Sequence, residues 1–302
     1  MTPDSSPQPP TSPGVRHAAA LIRAGRLVAF PTETVYGLGA NALDPDAVAR
    51  IFAAKGRPRT SPLIVHVDSM AMARTLASCW SEAADLLARR YWPGPLTLVV
   101  PKRPEVPDIV TAGLPTVGLR MPAHPLALEL IRAAGVPIAA PSANRFTELS
   151  PTAAAHIPES LADYTLDGGP ARVGIESTVL SLVDAPTLLR PGVISITELE
   201  ALIGPIARAV APAEGAHAGP GMHARHYRPA TPLYLDTVSR EGKGMVLRLG
   251  HDMPADPRSY AAALYETLHR LDAQSLDWIA IEPPPDTPEW AGILDRLRHA
   301  VA

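Results

Sequence analysis

Apolar and polar positions follow two periods along this chain, and the switches between them mark its elements. His17–Ala24 has helical spacing and stops at Gly25; Leu27–Phe30 is a short apolar run of strand length. Asp44-Pro45 predicts a helix start, with Asp suited to the N-cap and Pro to the first turn. Val48, Ile51 and Phe52 supply that helix's apolar stripe, and it ends near Gly56, before Pro58. Over Leu63–Val67, alternation puts Leu63, Val65 and Val67 on one face and Ile64 and His66 on the other. Leu96–Val100 reads as a strand. Val117–Met121 sets Gly118 and Arg120 opposite Val117, Leu119 and Met121. Leu126–Ala134 predicts a helix, Val136–Ala140 a strand, and Ser150-Pro151 a further helix start. Val179–Val183 and Thr187–Leu189 predict a hairpin, and Thr197-Glu198-Leu199-Glu200 a capping box. Strands that follow one another without a helix between them imply a mixed α/β sheet rather than a strict βαβ repeat.

The pattern divides the chain. Residues 1–14 (MTPDSSPQPPTSPG) are rich in Pro, Ser and Thr, as in a disordered tail. A large α/β domain is expected over 15–204. Residues 205–230, ending in GPGMHARHYRP, have linker composition. A small α/β domain is expected over 231–302, from strands at Leu233–Leu235, Met245–Leu249 and Trp278–Ile281 and helices at Ser259–Leu271 and Glu289–Ala300. A length of 302 residues suits two domains.

Composition removes several classes of function. Hydrophobic residues make up 46% and charged ones 19%, which excludes a wholly disordered chain. No apolar stretch reaches the ~18 residues of a membrane span, and residues 1–15 carry no basic and apolar secretory pattern. A cytoplasmic location is expected. The single cysteine, Cys79, excludes an internal disulfide framework and multi-cysteine metal sites; its place before Trp80 in a helix-like stretch reads as an inert core thiol. His217, His223 and His226 match no helical metal-ligand spacing. A net charge of −3 argues against broad electrostatic binding of nucleic acid. The last 72 residues hold seven basic and eleven acidic side chains, so cations able to meet phosphates belong mainly to the first domain.

Candidate chemistry is concentrated before residue 193. Gly37-x-Gly39-x-x-Ala42 matches a loose dinucleotide fingerprint, but no acidic residue follows about 20 positions on, and a glycine-permitted turn is the simpler reading. There is no P-loop and no G-x-S-x-G elbow. Lys55-Gly56-Arg57-Pro58-Arg59 puts three cations in five residues, a set suited to an oligophosphate. Pro141-Ser142-Ala143-Asn144 follows a strand, where α/β sheets place ligands. Ser150, at the predicted helix N-cap, would offer an anion site. His66 and Arg120 project from the less apolar faces of their strands, and Arg190-Pro191-Gly192 follows an apolar one. These observations alone reach an α/β domain with a crevice compatible with an oligophosphate.

PTETVYGLGANA, KGRP with PLIVHV, YWPGPLTLVV, VGLRMPAHP, APSAN with SPT, GIESTV and LRPG occur in that order over Ala24–Gly192, and PGMHARHYRP follows. This series resembles the YrdC-type threonylcarbamoyl-AMP synthases in their long form, with an additional C-terminal domain. The resemblance implies a twisted open mixed sheet with helices (YrdC-like) and a small Rossmann-like C-terminal domain. It implies an enzyme that makes threonylcarbamoyl-AMP and pyrophosphate from L-threonine, bicarbonate and ATP, with Mg²⁺ on the triphosphate rather than on a protein metal site. The product would pass to a tRNA threonylcarbamoyl transferase complex making N6-threonylcarbamoyladenosine. By the same resemblance Lys55 and Arg57 are catalytic and hold ATP together with Ser61, Thr116, Ser142, Asn144, Ser150, Arg190 and the linker residue Tyr227. Thr34, His66, Arg120, Ala140, Ser177 and Thr178 would hold threonine, with Arg120 on its carboxylate. Ser61 stands where the family often has Asn, Ala140 where some members have Thr, and Arg145–Leu149 replaces a Gly/Pro turn. Two alternatives are a carbamoyltransferase-related domain, which the lone cysteine opposes, and a non-catalytic RNA-binding module, which the balanced charge opposes.

Overall fold

The computed structural model describes residues 12–209 and 226–301. Two sheets, each with its own buried core, organise them. The large sheet has ten strands: β1 (Val28–Phe30), β2 (Gly37–Asn41), β3 (Ile64–His66), β4 (Leu96–Pro101), β5 (Thr116–Arg120), β6 (Ile138–Ala139), β7 (Tyr164–Thr165), β8 (Thr178–Ser181), β9 (Thr187–Arg190) and β10 (Ala207–Arg208). Their spatial order is β10-β9-β8-β4-β5-β3-β6-β2-β1-β7. Parallel pairs (β3 with β5, β4 with β8) alternate with antiparallel ones (β4 with β5, β3 with β6, β8 with β9), as expected of strands in succession. The register sets His66 beside Arg120 and beside Ile138.

Seven helices accompany this sheet: α1 (Pro13–Arg23), α2 (Pro45–Lys55), α3 (Met70–Leu76), α4 (Glu82–Tyr91), α5 (Asp108–Thr111), α6 (Pro125–Ala134) and α7 (Ile196–Ile203). One face of the sheet, carrying Leu63, Val65, Leu98, Val117 and Leu119, is buried with residues of α2, α3, α4 and α7. On the other face α1 and α6 cover Val28, Phe30, Ile138 and Ala140. That second face stays uncovered by helix where Ile64, His66, Arg120 and Arg190 project, and there the cleft forms.

The small sheet is fully parallel, in the order β11 (Leu233–Tyr234), β13 (Trp278–Ile281), β12 (Gly244–Leu247). α8 (Pro257–Asp272) connects β12 to β13, and α9 (Ala291–Ala300) ends the described chain. Its core includes Val35, Leu149 and Ile175 from the large lobe as well as Tyr227, so the two lobes share an apolar joint. A Cβ on Gly292 would lie 2.5 Å from the Gly192 carbonyl oxygen, so α9 approaches the large lobe as closely as only glycine allows.

Four local expectations change. α1 starts at Pro13 behind an Ser12 N-cap, inside the stretch that reads as tail, because Ser12 caps Val15 and Pro13 needs no amide partner. The capping box is Ser195 with Glu198, two residues earlier than Thr197-Glu200, because Ser195 Oγ accepts from Glu198 N while Glu198 Oε2 accepts from Ser195 N. No helix opens at Ser150-Pro151. The Pro151 and Thr152 carbonyls instead accept from Tyr36 and Ala171, which keeps this backbone extended until a single 3₁₀ turn at Ala154–His156. Cys79 is exposed, between α3 and α4 rather than within a helix. His217 and His223 lie outside the described residues.

Candidate active site

α2 and the turn after it place the cationic motif. Asp44 caps the helix through Asp46 and Ala47, and Gly56 closes it in the left-handed conformation (φ 62°). That reversal sends Lys55 and Arg57 in different directions. Lys55 is buried, and its Nζ donates to the carbonyls of Ser142 (2.6 Å) and Asn144 and to Asn144 Oδ1 (3.4 Å). Burial, reinforced by the Arg57 charge, pushes the Lys55 pKa well down. Lys55 therefore stands behind the Pro141–Asn144 turn and shapes it. Arg57 lies on the cleft wall, with Nη2 donating to the Pro62 carbonyl (3.2 Å) and Nε buried without a hydrogen-bond partner among the described residues. Burial lowers its pKa to about 10, so it stays charged at neutral pH.

Arg190, at the end of β9, donates Nε and Nη2 to the Ser177 carbonyl (3.1 and 3.0 Å) and Nη2 to Ser177 Oγ (3.2 Å). Ser177 Oγ is also 2.8 Å from Thr97 Oγ1. Arg120, at the end of β5, forms a buried ion pair with Glu33 (2.8 Å) and donates Nε to the Gly94 carbonyl (3.2 Å). His66 is neutral: burial first, then the Arg120 charge, lowers its pKa to about 3. Thr34 Oγ1 is 2.8 Å from Thr32 Oγ1. The linker brings His226 and Tyr227 over this wall. Tyr227 is buried, adopts φ 62°, and its hydroxyl has no hydrogen-bond partner among the described residues.

One cleft thus collects Thr34, Arg57, His66, Arg120, Ala140, Ser142, Ser177, Arg190 and Tyr227. Other residues singled out in the sequence stand off its wall. Lys55 and Asn144 brace the turn, and Asn144 Nδ2 donates to the carbonyls of Arg145 and Glu148 (2.9 and 2.8 Å). Ser61 is buried beside the Pro58 turn. Thr116 lines a small neighbouring cavity with Pro62 and Gly118. Thr178 turns its hydroxyl to the Ile194 carbonyl (3.0 Å), away from the cleft. Ser150, without a helix behind it, offers no helix-terminus anion site; its hydroxyl donates to Glu176 Oε1 (2.5 Å). Loop 145–149 docks on the linker, where Arg228 N donates to the Thr147 carbonyl (2.9 Å).

Residues 20–192 match the Sua5/YciO/YrdC family, described as telomere recombination, and residues 194–302 match the C-terminal domain of threonylcarbamoyl-AMP synthase. Threonylcarbamoyl-AMP synthase from Pyrococcus abyssi is 43% identical, with 95% of this chain and 93% of that protein covered. The chain belongs to the threonylcarbamoyl-AMP synthase family. The Bacillus subtilis synthase is 42% identical over the same shares. The crystal structure of P. abyssi Sua5 complexed with L-threonine superposes with a TM-score of 0.88 at 40% identity, covering 95% of this chain and 93% of that one. The fold and the long form expected from the motifs are those of this synthase family, and the chain is an enzyme.

Two buried carboxylates to which no sequence signal pointed support this cleft, Glu176 on its wall and Glu33 behind Arg120. Glu33, inside PTETVYG, neutralises Arg120 and accepts from the Ala123 amide (3.0 Å). Glu176, inside GIESTV, lines the cleft and accepts from Ser150, from Tyr265 (3.2 Å) and from Arg296 (2.7 Å). Burial pushes the Glu176 pKa up, but the Arg296 and Arg190 charges outweigh it and hold the carboxyl at about 2. Both stand in quoted motifs, but their partners are distant in sequence, so the pairing was not legible.

Proposed function

We propose that this enzyme condenses L-threonine, bicarbonate and ATP to threonylcarbamoyl-AMP and pyrophosphate, for N6-threonylcarbamoyladenosine formation in tRNA. The observation that carries the reading is the cleft's inventory. Three buried guanidiniums, from Arg57, Arg120 and Arg190, converge with small hydroxyls and a neutral histidine. The threonine amine takes up CO2 derived from bicarbonate and loses a proton, giving a carbamate. A carbamate oxygen then attacks the α-phosphorus as the bond to the bridging oxygen breaks and pyrophosphate leaves. Such a step needs charge neutralisation and alignment rather than a protein nucleophile.

Arg57 and Arg190 suit the phosphates, and Lys55 and Asn144 hold the Pro141–Asn144 turn against which ATP would lie, with Ser142 facing it. Arg120 suits the threonine carboxylate because a guanidinium offers two parallel donors. Thr34, His66, Ala140 and Ser177 would enclose the rest of the amino acid, and Tyr227 would exclude water. Ser61 and Thr116 fit the nucleotide's outer part. Ser150, bonded to Glu176, would support the ATP site, and Thr178, next to Ser177, the threonine site. Magnesium would arrive with the nucleotide, held largely by phosphate oxygens and water. A cytoplasmic location and transfer of the product to a separate tRNA-modifying enzyme belong to the same proposal, as does a division into two domains joined by a linker, the first reaching beyond the expected 15–204 because α1 begins at Pro13 and β10 (Ala207–Arg208) pairs in the large sheet.

The test is pyrophosphate release from MgATP and bicarbonate with and without L-threonine, with mass spectrometry of the nucleotides. Threonine-dependent release with a threonylcarbamoyl-AMP mass is expected. A folded protein that binds MgATP and releases none overturns the reading.

A further inference from the structure

Among the small-lobe side chains that reach the cleft's framework is a buried cation to which no motif points. Arg296, on α9, is the largest fully buried side chain among the described residues, only 1% exposed. Taking a guanidinium out of water is expensive unless every donor finds an acceptor. Its acceptors lie in the large lobe and in its own helix. Nε donates to Glu176 Oε2 (2.7 Å), Nη2 to the Glu176 carbonyl (3.2 Å), and Nη1 to the Pro191 carbonyl (2.9 Å) and Asp295 (2.7 Å). Its guanidinium carbon also lies 5.1 Å from the Tyr227 ring centroid.

These contacts fall on either side of one pair. Glu176 precedes Ser177 and Pro191 follows Arg190, and Arg190 is tied to Ser177 by three hydrogen bonds. One guanidinium thus grips both strand ends that carry the pair, at side chain and main chain, while touching the linker tyrosine. Gly292, one turn earlier on α9, gives the approach this needs through its close contact with Gly192. Tyr265, on α8, adds a second small-lobe donor to the same Glu176 oxygen.

We propose that Arg296 is a positioning residue for the reaction: by bonding Glu176 and Pro191 it fixes the Arg190–Ser177 pair between them, so that the small lobe completes the cleft without touching a ligand. The inference rests on the proposed reaction for its activity readout. A binding readout keeps the two separable.

The experiment compares the full-length wild type with Arg296→Met, Arg296→Lys and the double variant Glu176→Gln/Arg296→Met. Calorimetric MgATP affinity, threonine-dependent pyrophosphate release and thermal midpoint are measured for each. Arg296→Met should weaken MgATP binding about tenfold or more and reduce turnover further. Arg296→Lys should restore only part of both, since an ammonium cannot span the separate acceptors. In Arg296→Met the release rate should also gain an acid limb, as buried Glu176 keeps only Arg190 and the Ser150 hydrogen bond to hold its carboxyl low. The double variant removes both members of the buried pair, so it should fold even if the single variant does not. Its stability should recover while binding and turnover stay low. If binding and turnover recover along with stability, Arg296 is only structural and the proposal is overturned. If the wild type binds MgATP but shows no threonine-dependent release, the reaction reading falls and the binding data alone decide the positioning role. A folded wild type that binds no nucleotide overturns both.

Discussion

The two ends of the cleft balance charge in opposite ways. At one end Arg120 has its counter-charge, Glu33, within the same lobe, and both side chains are 4% exposed. At the other end Arg57 and Arg190 face the cleft with Lys55 behind them. The carboxylate there, Glu176, is engaged by Arg296 from the small lobe as well as by Ser150. The Arg120 end is complete within the large sheet. The Arg57–Arg190 end keeps an excess of positive charge suited to an incoming polyanion and depends on the other lobe for its framework. The difference is one of desolvation. A buried pair is already neutral and suits the single carboxylate of an amino acid, whereas clustered buried cations gain much from a polyanion.

The largest effect expected from breaking the comparison is at the neutralised end. Arg120→Ala leaves Glu33 buried without its partner and should cost about 3–5 kcal/mol of stability, read as a lower thermal midpoint. It should also raise the threonine requirement more than the ATP requirement. Equal stability to wild type would mean that the pair is not a closed unit. Arg57→Ala should do the reverse. Pyrophosphate release should fall about 10²–10³-fold, the size seen when one preorganised transition-state donor is removed. The thermal midpoint should move little, because Lys55 and Arg190 lose a like-charged neighbour. A large drop in midpoint would show that the excess charge at that end is already compensated.

Acid should weaken both ends. Glu176 is held at about 2 in the folded protein against an ordinary 4.5, so its contribution is present above pH 4.5 and disappears as the pH falls toward 2. The shift corresponds to about 3 kcal/mol. His66 acts in the same direction over a higher window. Its folded value of about 3 lies below the ordinary 6.5, so the unfolded chain takes up its proton first as the pH drops below 6.5. Denaturant titrations from pH 7 to pH 3 should show a monotonic loss, and a maximum near pH 4 would contradict both assignments. The smallest effect serves as a control. Arg298, outside the cleft lining and paired with Asp286 at 3.4 Å across exposed side chains, should change stability by less than about 0.5 kcal/mol on Arg298→Gln and leave turnover unchanged.

Much of the local structure was written in the alternation. The face assignments of Ile64 and His66, and of Gly118 and Arg120, hold in the sheet, because a strand's period of two leaves no freedom once one face is buried. The Asp44 cap and the Gly56 stop hold for a similar reason: each is satisfied by neighbours within three or four residues. The Ser150 helix failed because its cue is equally local, while the backbone there is claimed by Tyr36 and Ala171 from other segments. Cys79 was misplaced because helical propensity around Trp80 gave no information about which side faces solvent.

What the sequence by itself determined is the set of elements, their inward and outward faces, and, through motifs in a fixed order, the family. Each of these depends on neighbours close along the chain or on a recorded pattern. Only the tertiary structure decided how the charges are paired. Glu33 meets Arg120 across 87 residues, and Glu176 meets Arg296 across 120. Nothing in local spacing distinguishes Arg296 from Arg298, two positions on, yet one is buried against the cleft and the other is exposed. That choice is made by the approach of α9 to Gly192, where a buried guanidinium either finds all its acceptors or cannot be buried at all.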